Sequence, residues 1–338
     1  MAQLLGLTIL SALITGLLLV PFIDFLYKIK LQRKKQVTRD VFNKRTPVFD
    51  KYNGWKVGTP FGGGVLIILV VSILTLWAYG IFDTQVKGWE LFVLLFSFIS
   101  FGLLGMYDDL KKIIVNRKSG FGIFGLRFRY KFVLQIILAL IIAFILNLQL
   151  GFDFIYVHGL GLVNMGWFFI PFAAFVIVSF VNAFNIADGL DGLSGGLFLI
   201  SMLAFLAISY NLLDNFLGIF IAVVIGSVGA FLYFNIFPAR IWLGDSGSLA
   251  LGAVLAVVGL LTGKTIALAV IGGVFIIEVG SSLIQLGSKT LFGKKVLSVS
   301  PFHLLLQKRG WEEPKIVMRA WLLGFFFAIL GLYIAFIK

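Results

Sequence analysis

The sequence predicts an all-α integral membrane protein of about ten transmembrane helices, folded as a single domain over residues 1–338. Three observations carry that expectation. The chain is 60% hydrophobic, with a mean hydropathy of +1.05. Charged residues make up 13% of it, against about 25% in soluble domains. Apolar runs near the ~20 residues that cross a bilayer as a helix recur along its length. Lipid cannot satisfy an open backbone, so spans this apolar must be helices.

The expected spans are 2–27, 61–80, 89–106, 131–150, 166–185, 193–213, 216–237, 248–262, 265–287 and 318–337. The first has no basic segment before its apolar stretch, and its positive charges follow it. It therefore reads as a retained helix rather than a cleaved signal peptide. The second opens on a glycine-rich segment, and the third ends at Asp108 and Asp109. Residues 151–165 alternate loosely and suit a small hairpin outside the membrane. The fifth span runs into an Asn- and Gly-rich turn. The eighth is short, and the ninth carries Glu278. There are no cysteines, which excludes disulfides and thiolate metal sites.

Positive charge sets the expected topology. Of 28 lysines and arginines, ten fall in 28–58, seven in 107–131, one in 236–247 and seven in 287–319. Alternate loops thus hold nearly all of them, and the positive-inside rule makes those loops cytoplasmic, with both termini outside. The net charge of +13 needs no nucleic-acid partner, because orientation explains most of it and attraction to anionic lipids or substrates the rest.

On that topology five polar segments converge on the cytoplasmic face: Lys56–Gly64, Asp108–Lys112, Asn182–Gly196, Gly244–Ser248 and Pro301–Trp321. The most informative reads NAFNIADGLDGLSGG. It sets Asn182, Asn185, Asp188 and Asp191 three residues apart, close to one helical turn, so amides and acids line one edge. An acid beside hydrocarbon is costly and faces a cavity, a partner or an ion. Carboxylates with amide oxygens and flexible backbone suit a hard cation and phosphate.

Asp108, Asp109 and Lys112 admit two readings. One is a solvated helix end with a lysine near the C-terminus. The other is a carboxylate pair that binds metal or acts as base, with a lysine on phosphate. Asp245 is either an N-cap or an acid that holds Mg²⁺ beside amides that meet phosphate oxygens. Trp242 is an interfacial anchor or a stacking surface for a base. The glycines of Lys56–Gly64 suit a phosphate cradle, a weak signal taken alone. Glu278 is either functional or paired with a neighbouring helix.

Together these residues resemble the polyprenyl-phosphate N-acetylhexosamine-1-phosphate transferase superfamily (glycosyltransferase 4 type), and within it the phospho-N-acetylmuramoyl-pentapeptide-transferase family. The similarity runs from about Lys56 to Trp321. The family's D-D-x-x-K is Asp108, Asp109 and Lys112. Its N-x-x-N-x-x-D-G-x-D-G-L is Asn182–Leu193, its G-D-[ST]-G-S-L is Gly244–Leu249, and its G-T-P-x-x-G-G is Gly58–Gly64. Gly310–Lys315 with Arg319 and Trp321 resembles the muramoyl-pentapeptide branch. Two places depart: P-x-H-H-H reads Pro301-Phe302-His303-Leu304-Leu305, with one histidine left, and Phe61 stands where the branch commonly has threonine.

The resemblance implies an Mg²⁺-dependent phosphoglycosyl transferase of the bacterial plasma membrane, multi-pass, acting in peptidoglycan biosynthesis. UDP-MurNAc-pentapeptide would donate phospho-MurNAc-pentapeptide to undecaprenyl phosphate, giving lipid I and UMP. The alternative within the superfamily is a UDP-GlcNAc:undecaprenyl-phosphate GlcNAc-1-phosphate transferase. By the same resemblance Asp108, Asp109, Asp188, Lys112 and His303 are catalytic, and Asp245 with Asp188 binds the metal. Lys56, Lys131, Asn185, Asp191, Asn235 and Trp242 contact substrate, and a homodimer is compatible with the family. A secondary transporter is the rival from another class. Transporters show paired repeats and midplane polar sites, and this sequence shows neither.

Overall fold

The computed structural model describes residues 1–32, 45–82, 88–119, 126, 128–157, 161–212 and 214–337. Arg33, Lys34, Lys35, Arg39, Lys44, Lys87, Arg127 and Lys338, all counted in the charge pattern, lie outside the described residues. The elements in chain order are α1 (Ala2–Lys28), α2 (Pro47–Asn53), α3 (Gly63–Ile81), α4 (Gly88–Ser119) and α5 (Phe128–Leu148). Next come β1 (Phe154–Val157), β2 (Gly161–Asn164), α6 (Phe169–Ala187), α7 (Leu193–Asn211) and α8 (Asn215–Asn235). The chain closes with α9 (Gly244–Leu261), α10 (Thr265–Ile271), α11 (Gly273–Leu291), α12 (Phe302–Lys308) and α13 (Glu313–Phe336). Among the described residues nine helices are long and apolar enough to cross a membrane, ten if the bent pair α10–α11 counts as one span. The expected hairpin is present, with Phe154 paired to Asn164 and Val157 to Gly161, antiparallel.

Helix α9 is the centre of the bundle. It packs against α3, α4, α6, α7 and α10, and every residue from Ser246 to Leu260 is buried. Lipid supplies little hydrophobic drive between helices, so close packing of small residues holds them together. A Cβ on Gly64 of α3 would sit 2.2 Å from the Cα of Gly247, and one on Gly105 of α4 would sit 2.1 Å from the carbonyl oxygen of Asp245. These two contacts press α3 and α4 onto the first turn of α9. On the outside, α1 is bolted to α8 by hydroxyls. Ser11 Oγ donates to the Val223 carbonyl at 2.7 Å and Thr15 Oγ1 to Ser227 Oγ at 2.9 Å.

Four expectations need correction. The third helix does not end at Asp108; it continues to Ser119, so Asp108, Asp109 and Lys112 lie inside a helix rather than at its frayed C-terminus. The eighth span starts at Gly244, and Asp245 stands in its first turn, with Leu243 as the N-cap. The Asn182–Asp191 edge is not continuous, because α6 stops at Ala187 and Asp191 belongs to the turn beyond it. The ninth span is broken, with α10 and α11 meeting at 76°. The break falls at Gly272 and Gly273, where added Cβ atoms would strike the rings of Phe180 and Phe327. Paired glycines weaken helix continuity and let those rings press against the backbone.

Candidate active site

Three helices meet around Asp245. Helix α4 contributes Asp108 and Asp109, with Lys112 one turn beyond them. Helix α5 contributes Lys131, and α6 contributes Asn185. Lys112 Nζ lies 2.8 Å from Asp245 Oδ2, 3.2 Å from Asp108 Oδ2 and 3.6 Å from Asp109 Oδ1. Lys131 Nζ lies 2.5 Å from Asp245 Oδ2 and 3.2 Å from Asp108 Oδ2. The Asn185 amide donates to Ser248 Oγ at 2.7 Å and to Asp245 Oδ1 at 3.4 Å. The Ser246 backbone N–H donates to Asp109 Oδ2 at 3.1 Å, which locks α4 to the start of α9. Three carboxylates and two ammonium groups thus share one cluster. A first-turn acid is also favoured by the α9 dipole.

This cluster forms the polar end of a cavity of about 1510 Å³. Asp109, Lys112, Asn185, Asp188, Asp245 and His303 all line it. Asp191, Trp242, Lys56 and Asn235 line it as well, and Lys131 and Asp108 adjoin it, Lys131 bridging Asp108 and Asp245. From there the cavity continues between α6 and the bent α10–α11 pair. Its walls become apolar, with Phe172, Val176 and Phe180 facing Leu268, Ile276 and Leu283. It reaches Ile155 in β1 at the far end of α6.

Several expected binding residues also hydrogen-bond within the wall of this cavity. Lys56 is buried at 3% exposure, 2.8 Å from Asp191 Oδ1 and 2.5 Å from Glu313 Oε1. Asp191 Oδ2 accepts from the Ala239 N–H at 3.0 Å, and Glu313 also accepts from the Asp191 N–H at 2.7 Å. Asn235 spans two segments, accepting from the Gly192 N–H at 3.1 Å and donating to the Ile241 carbonyl at 2.9 Å. Asp188 ends α6 and accepts from Ser194 Oγ at 2.6 Å. The glycine segment at the start of α3 is not an open cradle. Gly62 and Gly63 donate to the Trp242 carbonyl, and Gly64 donates to that of Leu243. Those carbonyls cap the start of α3, and the bonds hold Trp242 at the cavity wall.

Residue-by-residue reading of the sequence missed Glu313 and Ser248. The signal for Glu313 was present: an acid at the head of an apolar span needs a partner. For Ser248 the sequence carries no signal apart from the motif itself. Glu278, left open between two readings, is paired with His303 of α12 at 2.9 Å.

The profile of glycosyl transferase family 4 matches residues 91–263, which hold the Asp108–Lys112, Asn182–Gly196 and Gly244–Ser248 segments. A phospho-N-acetylmuramoyl-pentapeptide-transferase of Geobacillus thermodenitrificans is 37% identical over 326 residues, covering 96% of this chain and 95% of that protein. The chain belongs to the phospho-N-acetylmuramoyl-pentapeptide-transferase family. Proteins of the same name from Oceanobacillus iheyensis and Pelagibacter ubique are 39% and 38% identical. Each match covers 82% of this chain, with 84% and 80% of the respective relative. The family's enzyme scaffold is here a bundle of apolar helices, with its partly buried charged cluster where α4, α5, α6 and α9 meet.

Proposed function

We propose that the chain transfers phospho-MurNAc-pentapeptide from UDP-MurNAc-pentapeptide to undecaprenyl phosphate, releasing UMP and forming lipid I at the cytoplasmic face of the bacterial plasma membrane. One observation carries this reading: a single cavity joins the Asp109–Lys112–Asp245 cluster to an apolar groove along α6 and α10–α11. A soluble anion and the phosphate of a prenyl chain can meet at that junction. The concentration of lysine and arginine in alternate loops supports the cytoplasmic side.

The reaction brings two anions together. A phosphate oxygen of the acceptor attacks the sugar-bearing phosphorus of the donor, and the bond to UMP breaks. Lys112 faces the cavity and offsets their repulsion, while Lys131 bridges Asp245 and Asp108 and holds them in place. The acceptor phosphate is already anionic, so direct attack needs no carboxylate nucleophile. Asp109 is the member of the acid pair that faces the cavity. Trp242 offers a ring at the wall for the nucleotide end.

The residues fit Mg²⁺. Among the described residues no three acids or histidines converge as a ready cage. Mg²⁺ is held through one or two carboxylates, with waters and substrate phosphates completing its shell. Asp245 and Asp109, joined through the first turn of α9, would supply those carboxylates. The bound ion would stabilise charge on the departing UMP.

Leu304 gives the second reading its support. It lines the cavity beside His303, an apolar side chain where the family motif has histidine. A smaller donor, UDP-GlcNAc, would not need that recognition. Purified protein offered both nucleotide sugars with undecaprenyl phosphate and Mg²⁺ decides between them. UMP release with a muramoyl-pentapeptide lipid product is expected. Product from UDP-GlcNAc alone, or from neither donor, overturns the proposal.

A further inference from the structure

The scheme above gives no task to Glu278. This acid sits on α11, beyond the bend at Gly272, and His303 opens α12. Both are buried, at 3% and 1% exposure. The Glu278 carboxylate meets His303 three times. The His303 backbone N–H donates to Oε1 at 3.1 Å and to Oε2 at 3.3 Å, and Nδ1 of the ring lies 2.9 Å from Oε2. The opposite edge of the ring faces the turn after α6. A Cβ on Gly189 would lie 2.7 Å from His303 Nε2 and 2.9 Å from Cε1. Nε2 therefore reaches the backbone next to Asp188, at the cavity wall.

An imidazole has two neutral tautomers, and its neighbours choose between them. An ionised carboxylate only accepts hydrogen bonds, so the nitrogen that faces it must carry hydrogen. Here the carboxylate is itself tethered by the backbone N–H of the same histidine, so it cannot swing away from the ring. We infer that Glu278 is a positioning residue: it holds the His303 ring with Nδ1–H on the carboxylate and Nε2 toward the cavity. Any proton that the ring gives or takes then crosses at Nε2, beside Asp188. The absence of a side chain at Gly189 leaves room for that edge of the ring. This inference rests on the reading of the cavity as the transfer site. The alternative is a staple that merely joins α11 to α12.

The chain has two histidines, His158 and His303, so nitrogen-15 NMR of the His158→Gln protein in detergent reports on one ring. The neutral ring is expected as Nδ1–H with Nε2 bare; the Nε2–H tautomer overturns the inference without any change at Glu278. That measurement needs no substrate. A protein that releases no UMP with either donor but shows this tautomer loses the proposed reaction and keeps the positioning pair. Kinetics supply the second arm. Glu278→Gln is expected to mix the tautomers and to lower kcat about 10- to 100-fold, as loss of a partner that orients a histidine does elsewhere. KM for the nucleotide sugar should stay within about twofold, the split expected of a group that acts in the transition state. In a His303→Gln background Glu278→Gln should cost nothing more. Independent, additive losses in that cycle, or wild-type kcat in the single variant, overturn the inference.

Discussion

Lys131 Nζ lies 2.5 Å from Oδ2 of Asp245, across 114 positions of sequence, and Lys112 Nζ reaches the same oxygen at 2.8 Å. One carboxylate thus gathers two ammonium groups from two helices. Its charge, more than its bulk, holds the polar end of the cavity together.

Asp245→Asn keeps the shape and removes the charge. Turnover should fall by at least about a hundredfold, the scale on which removal of one preorganised electrostatic group acts. The helical content in detergent should change little, but the thermal midpoint should fall, because Lys112 and Lys131 lose their shared carboxylate. Wild-type rates at saturating Mg²⁺ would reject Asp245 as the metal carboxylate. Lys112→Ala should lose a similar factor in kcat/KM, and an unchanged value would remove that lysine from the site.

Lys56 is a test of stability rather than of chemistry. Lys56→Met leaves Asp191 and Glu313 buried beside each other without a cation. Breaking a buried pair from one side costs about 3–5 kcal/mol. A lowered thermal midpoint is expected, partly restored when Asp191→Asn and Glu313→Gln are added. A single variant as stable as the parent would show that water reaches the triad.

Gly105→Ala tests how tightly α4 must approach α9. Its methyl would meet the backbone carbonyl of Asp245, which cannot rotate away. Overpacking of this kind costs about 1–3 kcal/mol. The shift also pulls Asp109 from the Ser246 N–H, so kcat should fall more than stability alone explains. A folded variant with normal kcat would show that the acid pair tolerates displacement.

Ser179→Trp narrows the apolar groove without touching the charged cluster, because Ser179 lies two turns before Ile186 on the cavity face of α6. KM for undecaprenyl phosphate should rise about tenfold or more, roughly the effect of losing 1.4 kcal/mol of binding. KM for the nucleotide sugar should hold, and a short-chain prenyl phosphate should be less affected. Equal effects on both substrates would place the prenyl chain elsewhere.

Much of this was legible in the sequence, for physical reasons. Apolar length and the basic loops set the spans, since both follow from the bilayer itself. Asp108, Asp188 and Asp245 stood out because acids are rare and costly beside hydrocarbon. Partner choice was not legible. The sequence does not show that Glu313 stands beside Lys56, or that both ends of the Asn235 amide bond to backbone. The break at Gly272–Gly273 was hidden because hydropathy counts residues and does not register a change of direction.

Of the nine spans among the described residues, α9 is the least apolar and the most enclosed. A helix of that kind has weak affinity for lipid and owes its place to its neighbours. Its first turn also carries Asp245. Packing and site are therefore linked: only when α4, α5 and α6 close on α9 does Asp245 meet Lys112, Lys131 and Asn185.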